Sequence, residues 1–340
     1  MTYTEDILNV TKLNLPWDKL SHCNILVTGA TGLIGSCLVE TLMERSQRDY
    51  SVYAMGRNTQ RMNNLFNKYM NIDGFHPIIG DVTEPLSLNN SFHYIIHAAS
   101  GAAPTDFAQY PVEVMMANIL GVRNLIEYGV SHGMKRILYI SSGEVYGEGD
   151  GRVFTEDYSG YVDSLSPRSC YPSSKRAAET LCASYADEYG VDVVIARPCH
   201  TYGPNFTEYD NRVYAQFIRN VLKGEDIVMK STGAQYRSWC YVADCVSALL
   251  FILLKGENGQ AYNIADELSN ITIKELAEMI AGIGERNVVI ELPTDIEKAG
   301  YNVVTKSVFS TNKLAKLGWV IKGCMRQKME NTINCRRYEQ

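Results

Sequence analysis

The sequence lacks paired cysteines. Its nine cysteines are scattered over 340 residues, with no C-x-x-C pair and no cluster of cysteine and histidine at the spacing of a zinc site. This pattern excludes a disulfide framework and predicts buried, reduced thiols, no metal and a cytoplasmic location. Internal repeats and low-complexity linkers are also lacking, so we expect one compact unit with a cleft.

Long apolar runs and an excess of positive charge are lacking as well. No apolar run approaches the ~18 residues of a membrane span, and the first twenty residues carry acids where a signal peptide needs bases. Lys and Arg total 32 against 38 for Asp and Glu, a net charge of −6. No overall field therefore attracts nucleic acid or an anionic membrane, and we expect neither as a partner.

From Asn24 onward, short apolar runs alternate with amphipathic helical patterns. The runs include "NILVTG", "YSVYAM", "HYIIHAAS", "KRILYISS" and "VDVVIARP". Continuous apolar strands separated by helices indicate an α/β fold, a doubly wound parallel sheet with a smaller C-terminal α/β lobe. We place an N-terminal arm at residues 1–22, the main domain at 23–198 with about 240–265, and the lobe at 199–239 and 266–340.

The turn "VTGATGLIG" follows the first strand and opens the first helix. Gly29 suits a tight turn, Gly32 suits close approach of the backbone to a pyrophosphate, and Gly35 suits packing of the helix on the strand. The turn therefore predicts a Rossmann-like dinucleotide-binding domain. Its predicted cofactor contacts are Gly29, Thr31, Gly32, Leu33, Ile34 and Gly35.

The end of the second strand bears on the choice between NAD and NADP. An NAD site has an acid there for the ribose 2′-hydroxyl, whereas this chain has Arg57, whose guanidinium suits a 2′-phosphate. Arg57 is equally well explained as a surface charge, so NAD and NADP both stay open. Further predicted cofactor contacts are Asp81, Val82, Ala98, Ala99 and Ser100, after the next two strands, and Arg197 at the end of "VDVVIARP".

Tyr171 and Lys175 lie four residues apart in "YPSSKRAAET", on one face of the helix that begins near Pro172. A lysine ammonium, helped by a cationic nicotinamide, can lower the pKa of a phenol enough for tyrosine to act as a base. Oxidation of an alcohol by a nicotinamide needs such a pair. Ser142, just after the strand "RILYI", completes the expected catalytic group.

Together, TGxxGxxG, Ser142 and Tyr-x-x-x-Lys resemble the extended short-chain dehydrogenase/reductase family of nucleotide-sugar enzymes, the NAD-dependent epimerases and dehydratases. The resemblance covers roughly residues 23–330. It implies a catalytic triad of Ser142, Tyr171 and Lys175, a supporting Asn118 and a tightly bound NAD or NADP that Asn118, Tyr171 and Lys175 also contact. It also implies a C-terminal lobe that binds a nucleoside diphosphate, and a homodimer formed through the catalytic helix.

Three longer segments, "HAASGAAPTDFAQYP", "SPRSCYPSSKRAAETLC" and "RPCHTYGPNFTEYDNRVYAQFI", resemble most closely the UDP-glucuronate decarboxylases within that family. By this resemblance Arg237 contacts the nucleotide phosphates or a sugar carboxylate, and Arg212 lies nearby. His200 stands where relatives usually have asparagine, so it points to a changed substrate. The implied substrate contacts are Ala103, Pro104, Ser142, Gly143, Glu144, His200, Arg212 and Arg237.

Glu144, in "SSGEVYGE", adds a carboxylate that a simple reductase or 4-epimerase does not need. Once the sugar C4 hydroxyl is a ketone, a base can remove the C5 hydrogen, as in 4,6-dehydratases, or a C6 carboxylate can leave as carbon dioxide. At the position of Gly143, dTDP-glucose dehydratases have an aspartate and the decarboxylases a serine. GDP-mannose dehydratases, which use NADP, also lack the aspartate and stay open.

The sequence therefore predicts a cytoplasmic, homodimeric enzyme that oxidises C4 of a nucleotide sugar and then decarboxylates it. UDP-glucuronate is the expected substrate, and UDP-xylose or a 4-keto-pentose the product. Tyr171 takes the O4 proton, Lys175 tunes it, Ser142 orients the sugar oxygen and Glu144 serves the second step. The alternatives are a 4,6-dehydratase, a 4-epimerase or 4-ketoreductase in which Glu144 only shapes the pocket, and a non-catalytic dinucleotide-sensing subunit.

Overall fold

The computed structural model describes residues 2–102, 104–208, 210–291 and 305–338. The strands are β1 Asn24–Thr28, β2 Ser51–Gly56, β3 Phe75–Ile79, β4 Tyr94–His97, β5 Arg136–Ile140, β6 Val193–Pro198, β7 His200–Tyr202, β8 Ile227–Met229, β9 Tyr236–Tyr241, β10 Ala261–Ile264, β11 Asp266–Thr272, β12 Val288–Ile290 and β13 Lys306–Ser307.

The helices are α1 Tyr3–Thr11, α2 Leu33–Met43, α3 Thr59–Phe66, α4 Pro104–Gln109, α5 Pro111–Ser131, α6 Cys170–Tyr189, α7 Val213–Leu222, α8 Val242–Lys255 and α9 Ile273–Gly284, followed by two further helices at Asn312–Ala315 and Met325–Tyr338. Short 3₁₀ turns lie at Trp17–Leu20, Asn67–Tyr69, Gly143–Tyr146 and Pro167–Ser169.

The main sheet has the strand order β3-β2-β1-β4-β5-β6-β10, and neighbouring strands are parallel. Every residue of β4, and all but the first of β1 and β5, is buried, as in strands covered by helices on both faces. The strand order reverses between β1 and β4, so their carboxyl ends, at Thr28 and His97, open the crevice where such sheets bind ligands. The predicted doubly wound α/β fold is confirmed.

A smaller sheet begins where the chain leaves β6. Only Cys199 separates β6 from β7, and β7 pairs with β9 instead of with the main sheet. Strand β9 also pairs with β11 and β13, and β8 pairs with β12. His200 is therefore the first residue of the smaller sheet. Helix α8 then packs on β5 and β6, and β10 returns to the edge of the main sheet. The division into a cofactor domain and a substrate lobe stays a prediction.

The N-terminal segment packs on the main domain. Helix α1 begins with a capping box formed by Thr2 and Glu5, and it contacts α2 and α8. Its side chains Tyr3 and Ile7 are buried, and the Tyr3 hydroxyl donates to the Glu40 carboxylate of α2 at 2.6 Å. This contact fixes the start of the chain to the helix that follows the glycine turn.

No disulfide joins any of the nine cysteines, all of which lie within the described residues. Seven are buried, which confirms the prediction for them, but Cys324 is exposed and Cys335 is partly exposed. The prediction was wrong for these two because they lie at the periphery, before and within the last helix. Within the described ranges, no helix has both the length and the apolar character needed to cross a membrane.

Candidate active site

The glycine turn after β1 has room for backbone only. Gly29 has a φ of 63°, and a Cβ there would lie 2.6 Å from the carbonyl carbon of Ala98 and the amide nitrogen of Ala99. A Cβ on Gly35 would lie 2.2 Å from the Gly29 carbonyl oxygen. Gly32 is the N-cap of α2 and supplies no side-chain cap. The first amides of α2 are therefore left for another acceptor, and this arrangement fits the pyrophosphate of a dinucleotide.

The adenosine end of the crevice has an arginine in place of an acid. The Arg57 side chain is 80% exposed, and its Nη1 lies 3.5 Å from a carboxylate oxygen of Asp81. Burial raises the pKa of Asp81, but hydrogen bonds from Thr83 together with Arg57 outweigh it, so the net pKa is lowered. Nearby, Arg61 Nε donates to the Thr31 carbonyl at 2.8 Å, which holds the glycine turn against α3.

The end of β4 is tied to β1 through a buried histidine. His97 Nδ1 lies 2.8 Å from the Thr28 hydroxyl, and its Nε2 is buried without a hydrogen-bond partner. Burial, aided by the charge of Lys175, lowers the pKa of His97 to about 3, so the ring is neutral. A Cβ on Gly121 would lie 3.0 Å from His97 Nε2. The other predicted cofactor contacts of this edge are Leu33 and Val82, which are buried, and Ile34 and Ser100, which are partly buried.

Tyr171 and Lys175 are both buried beneath the crevice. The Lys175 ammonium donates to the carbonyl of Ile140, at the end of β5, at 2.8 Å, and lies 5.7 Å from the centre of the Tyr171 ring. Burial lowers the pKa of Lys175 to about 7 and raises that of Tyr171 to about 12, while a hydrogen bond to Ser142 lowers the latter. The expected lowering of the Tyr171 pKa by Lys175 is not found in the protein alone, because Lys175 itself loses charge near neutral pH.

Asn118 lies behind this pair and joins two helices. Its Nδ2 donates to the Ser174 hydroxyl of α6 at 2.9 Å and to the Val114 carbonyl of α5 at 3.1 Å. Its Oδ1 is buried without a hydrogen-bond partner. The contacts position α6 against α5, whereas a supporting role of Asn118 in the reaction and its direct contact with a cofactor stay predictions.

Glu144 is held by an arginine that the sequence reasoning missed. The 3₁₀ turn that carries Glu144 is capped by Ser142, whose hydroxyl accepts the Glu144 amide at 3.2 Å. Arg168 binds both oxygens of the Glu144 carboxylate, at 3.2 and 3.3 Å. Its guanidinium lies 4.8 Å from the ring of Phe107, which in turn stacks on Tyr171 at 4.7 Å. A cation three residues before Tyr171, in the turn leading into α6, was the available signal.

A second group of side chains comes from the smaller sheet and the segment before α7. Arg237 Nη1 lies 3.5 Å from His200 Nε2, and the His200 ring lies against Trp239. Burial, with Arg237 and Arg212 nearby, lowers the pKa of His200 to about 3, so His200 is neutral. Arg212 donates to both carboxylate oxygens of Asp210 and is thereby neutralised. Arg237 faces the neutral imidazole and keeps its charge.

These groups interact electrostatically around Tyr171. Glu144 raises the pKa of Tyr171, whereas Arg212 and Arg168 lower it. Burial lowers the pKa of Arg237, Glu144 opposes that shift and Arg168 adds to it. With the Asp210 carboxylate, the cluster has three cations and two anions, a net charge of one positive. It can therefore accept an anionic substrate beside the tyrosine.

Two predicted site residues of the described chain, Arg197 and Pro104, are not part of this cluster. Arg197 donates to both carboxylate oxygens of Glu179 at 3.0 and 2.6 Å, to the Tyr146 hydroxyl at 3.0 Å and to a backbone carbonyl. Its guanidinium is thus occupied by protein groups, which gives Arg197 a structural role, and its contact with the cofactor stays a prediction. Ala103 lies outside the described residues. Pro104 is exposed at the first position of α4.

The chain was compared with known proteins. Residues 25–265 match the model of the NAD dependent epimerase/dehydratase family. UDP-glucuronic acid decarboxylase 6 of Arabidopsis thaliana is 37% identical over 272 residues, 80% of this chain and 77% of that protein. UDP-glucuronic acid decarboxylase 5 of the same plant is 34% identical over 307 residues, 90% of this chain and 87% of that protein.

Among solved structures, UDP-glucose 4-epimerase from Thermotoga maritima superimposes with a TM-score of 0.79 at 26% identity, covering 93% of this chain and 99% of that one. The glycine turn, the Tyr171–Lys175 pair and these matches together define a nucleotide-sugar enzyme that uses a nicotinamide cofactor. The chain belongs to the NAD dependent epimerase/dehydratase family.

Proposed function

We propose that the protein is a UDP-glucuronate decarboxylase, which oxidises the sugar at C4 and then releases C6 as carbon dioxide, forming UDP-xylose or its 4-keto precursor. The observation that carries the proposal is the pair of Glu144 and Arg168 beside Tyr171. This pair offers a carboxylate for a step after oxidation and a cation for an acidic sugar. Relatives at 34 and 37% identity bear the name UDP-glucuronic acid decarboxylase.

In the first step, Tyr171 accepts the proton of the sugar C4 hydroxyl, and Ser142 orients the oxygen of that hydroxyl. The nicotinamide cofactor supplies the oxidation at C4 and its reversal. Because burial raises the pKa of Tyr171 to about 12, its phenolate needs nearby positive charge. Arg168 supplies part of that charge, and the protonated form of Lys175 supplies more.

In the second step, the C4 ketone makes the C6 carboxylate part of a β-keto acid. The C5–C6 bond breaks, carbon dioxide leaves, and the electron pair moves onto the C4 carbonyl as an enolate. A proton then adds at C5. Glu144 lies two residues after Ser142 in the chain and is one-third exposed, so it can order the water that delivers this proton.

The arginines divide the work of binding the anionic groups. Arg212 is already paired with Asp210, whereas Arg237 faces the neutral His200. We assign Arg237 to the diphosphate and Arg168 to the sugar carboxylate. A bound carboxylate would compete with Glu144 for Arg168 and so release Glu144 towards the sugar.

We propose that the cofactor site accepts NADP as well as NAD. The support is Arg57, which follows β2 and is mostly exposed. Its guanidinium is paired with one carboxylate, that of Asp81, at the long distance of 3.5 Å. A 2′-phosphate could compete with Asp81 for this cation.

We further propose a cytoplasmic homodimer. Its support is a set of exposed apolar side chains near the catalytic helix: Tyr110 (55% exposed), Val112 (64%), Met116 (39%) and Leu165 (92%). Such a patch is unusual on a monomer. Sedimentation of the wild type and of Val112→Glu tests the assembly, since the variant should give monomers.

The test of the activity is to identify any bound cofactor by mass and then to offer the protein UDP-, GDP-, CDP- and dTDP-sugars, including UDP-glucuronate. Release of carbon dioxide from UDP-glucuronate is the expected result. Loss of water from a neutral hexose would make the protein a 4,6-dehydratase, and isomerisation at constant mass would make it a 4-epimerase. If no sugar is converted although a dinucleotide binds, the protein is a sensing subunit.

A further inference from the structure

Gly143, the residue before Glu144, has no space for a side chain. A Cβ there would lie 2.2 Å from Cζ and 2.5 Å from Cε1 of Phe309. The backbone does not require a glycine, since Gly143 is absent from the residues with positive φ in the described chain. The ring of Phe309, and not the conformation of the turn, therefore explains why glycine stands at position 143.

Phe309 reaches Gly143 from the opposite side of the cleft. Its amide donates to the Ser238 hydroxyl of β9 at 3.1 Å, and that hydroxyl donates its own proton to Asn270 of β11 at 2.6 Å. Its ring is 2% exposed and packs edge-on against Tyr146 and Phe154. The residue is thus anchored to the smaller sheet by its backbone and to the Glu144 turn by its ring.

This double attachment joins the two halves of the site. Ser238 follows Arg237 directly in β9, and Gly143 precedes Glu144 directly in the turn. We propose that Phe309 is a positioning residue that sets Glu144 relative to Arg237, and that Gly143 is the notch in which its ring sits. The role of Glu144 after the oxidation step, on which this inference rests, is that of the proposed function.

The inference predicts that residues 143 and 309 act as a pair. Gly143→Ser places a side chain where the ring lies, so the turn must shift. Phe309→Leu removes the ring atoms that cause the conflict while keeping an apolar side chain. The double variant Gly143→Ser/Phe309→Leu should therefore be less impaired than Gly143→Ser alone.

The experiment is a single-turnover reaction in which the enzyme is in excess over UDP-glucuronate. Absorbance at about 340 nm follows cofactor reduction, and released carbon dioxide follows the second step; both are compared with the wild type. In Phe309→Leu, cofactor reduction should stay within about threefold while carbon dioxide release slows about tenfold or more. Gly143→Ser should slow release about a hundredfold, and the double variant should recover at least about tenfold of that loss.

Phe154→Leu is the matched control, because Phe154 belongs to the same aromatic cluster but is not among the atoms nearest to a Cβ at Gly143. Phe154→Leu should lose about as much thermal stability as Phe309→Leu does, but its rate of carbon dioxide release should stay within about threefold of the wild-type rate. Equal slowing by Phe154→Leu and Phe309→Leu would overturn the inference, and so would a double variant no faster than Gly143→Ser.

The contact between Gly143 and Phe309 and the proposed activity can be tested independently. A wild-type protein that releases no carbon dioxide contradicts the proposed function and, with it, the role given to Phe309. The contact itself is tested without substrate by thermal unfolding: Gly143→Ser should lower the melting temperature in the wild-type background by more than in the Phe309→Leu background. Equal decreases in the two backgrounds would overturn the pairing of residues 143 and 309.

Discussion

The two sides of Tyr171 are built differently. On the cofactor side, the glycine turn and the end of β4 form a surface of backbone, and Gly29 approaches Ala98 so closely that no side chain fits. On the substrate side, Glu144 and Arg168 are side chains from separate segments, one-third to nearly half exposed, held by a single ion pair. The first surface suits any dinucleotide, whereas the second depends on particular charges and can change with the substrate.

The largest expected effect lies where the two sides meet. Tyr171→Phe removes the only group that we assign to the O4 proton, so cofactor reduction and carbon dioxide release should both fall by about a thousandfold. Dinucleotide affinity, measured by calorimetry, should stay within about twofold, because most of the predicted dinucleotide contacts lie in the glycine turn and after β2, β3 and β4. Tyr185→Phe on the same helix, whose hydroxyl donates to the exposed Glu127, should be unaffected. Full activity in Tyr171→Phe would contradict the mechanism.

Glu144→Gln should affect the step after oxidation and leave the oxidation step itself intact. The variant keeps the size of the side chain but loses the charge, so the step after oxidation should slow by about a hundredfold. Cofactor reduction should change little, and reduced cofactor should accumulate in single-turnover absorbance. Glu148→Gln, an exposed acid four residues later, is the control and should behave as the wild type. Equal loss of both steps would instead give Glu144 a role in substrate binding.

Arg168→Lys tests the substrate side alone. Lysine keeps the charge but cannot grip a carboxylate with two parallel donors, so the KM for UDP-glucuronate should rise about tenfold while cofactor affinity is unchanged. Steady-state kinetics at saturating cofactor give the comparison. The control is Arg123→Lys, since Arg123 forms an exposed ion pair with Glu127. An unchanged KM would remove Arg168 from the proposed contact with the sugar carboxylate.

The contrast between the two sides also explains what the sequence could predict. Gly29, Tyr171 and Lys175 were found because regular spacing places them: a turn after a strand, and two side chains four residues apart on a helix. Arg168 and Phe107 were missed because their roles come from contacts between α4, the turn before α6 and the start of α6, which the positive charge three residues before Tyr171 does not reveal by itself.

The reason for glycine at position 143 could not be predicted either. It depends on Phe309, a residue 166 positions later in the chain. Arg197 was predicted to contact the cofactor because it lies at the end of a strand in the main sheet, and its partly buried ion pair with Glu179 could not be predicted from that position. Local patterns predicted the backbone surface, and long-range packing determined the charged one.

Lys175→Met sharpens the comparison through stability. Burial lowers the pKa of Lys175 from 10.5 to about 7, so the unfolded chain binds this proton more tightly than the folded protein does. The resulting destabilisation is almost fully present at pH 7 and below, and it is lost as the pH rises to 10.5. The free energy of unfolding of the variant, relative to that of the wild type, should be roughly 3 kcal/mol higher at pH 6.5 than at pH 9.5. The variant should also lose activity. Urea unfolding at the two pH values measures this, and a pH-independent difference would contradict it.

The smallest effect is expected at the exposed edge of the cofactor side, where a side chain does matter. Arg57 pairs with Asp81, which lies after β3 and outside the glycine turn, and is mostly solvated, so its attraction for a 2′-phosphate is screened. Arg57→Ala should therefore weaken NADP binding about fivefold in calorimetry and leave NAD binding unchanged. Arg152→Ala, which removes an exposed arginine paired with Asp150, should change neither affinity. Equal weakening of NAD and NADP binding would mean that Arg57 supports the glycine turn and does not select the cofactor. The cofactor side would then bind its ligand through backbone along its whole length, in contrast to the charged substrate side.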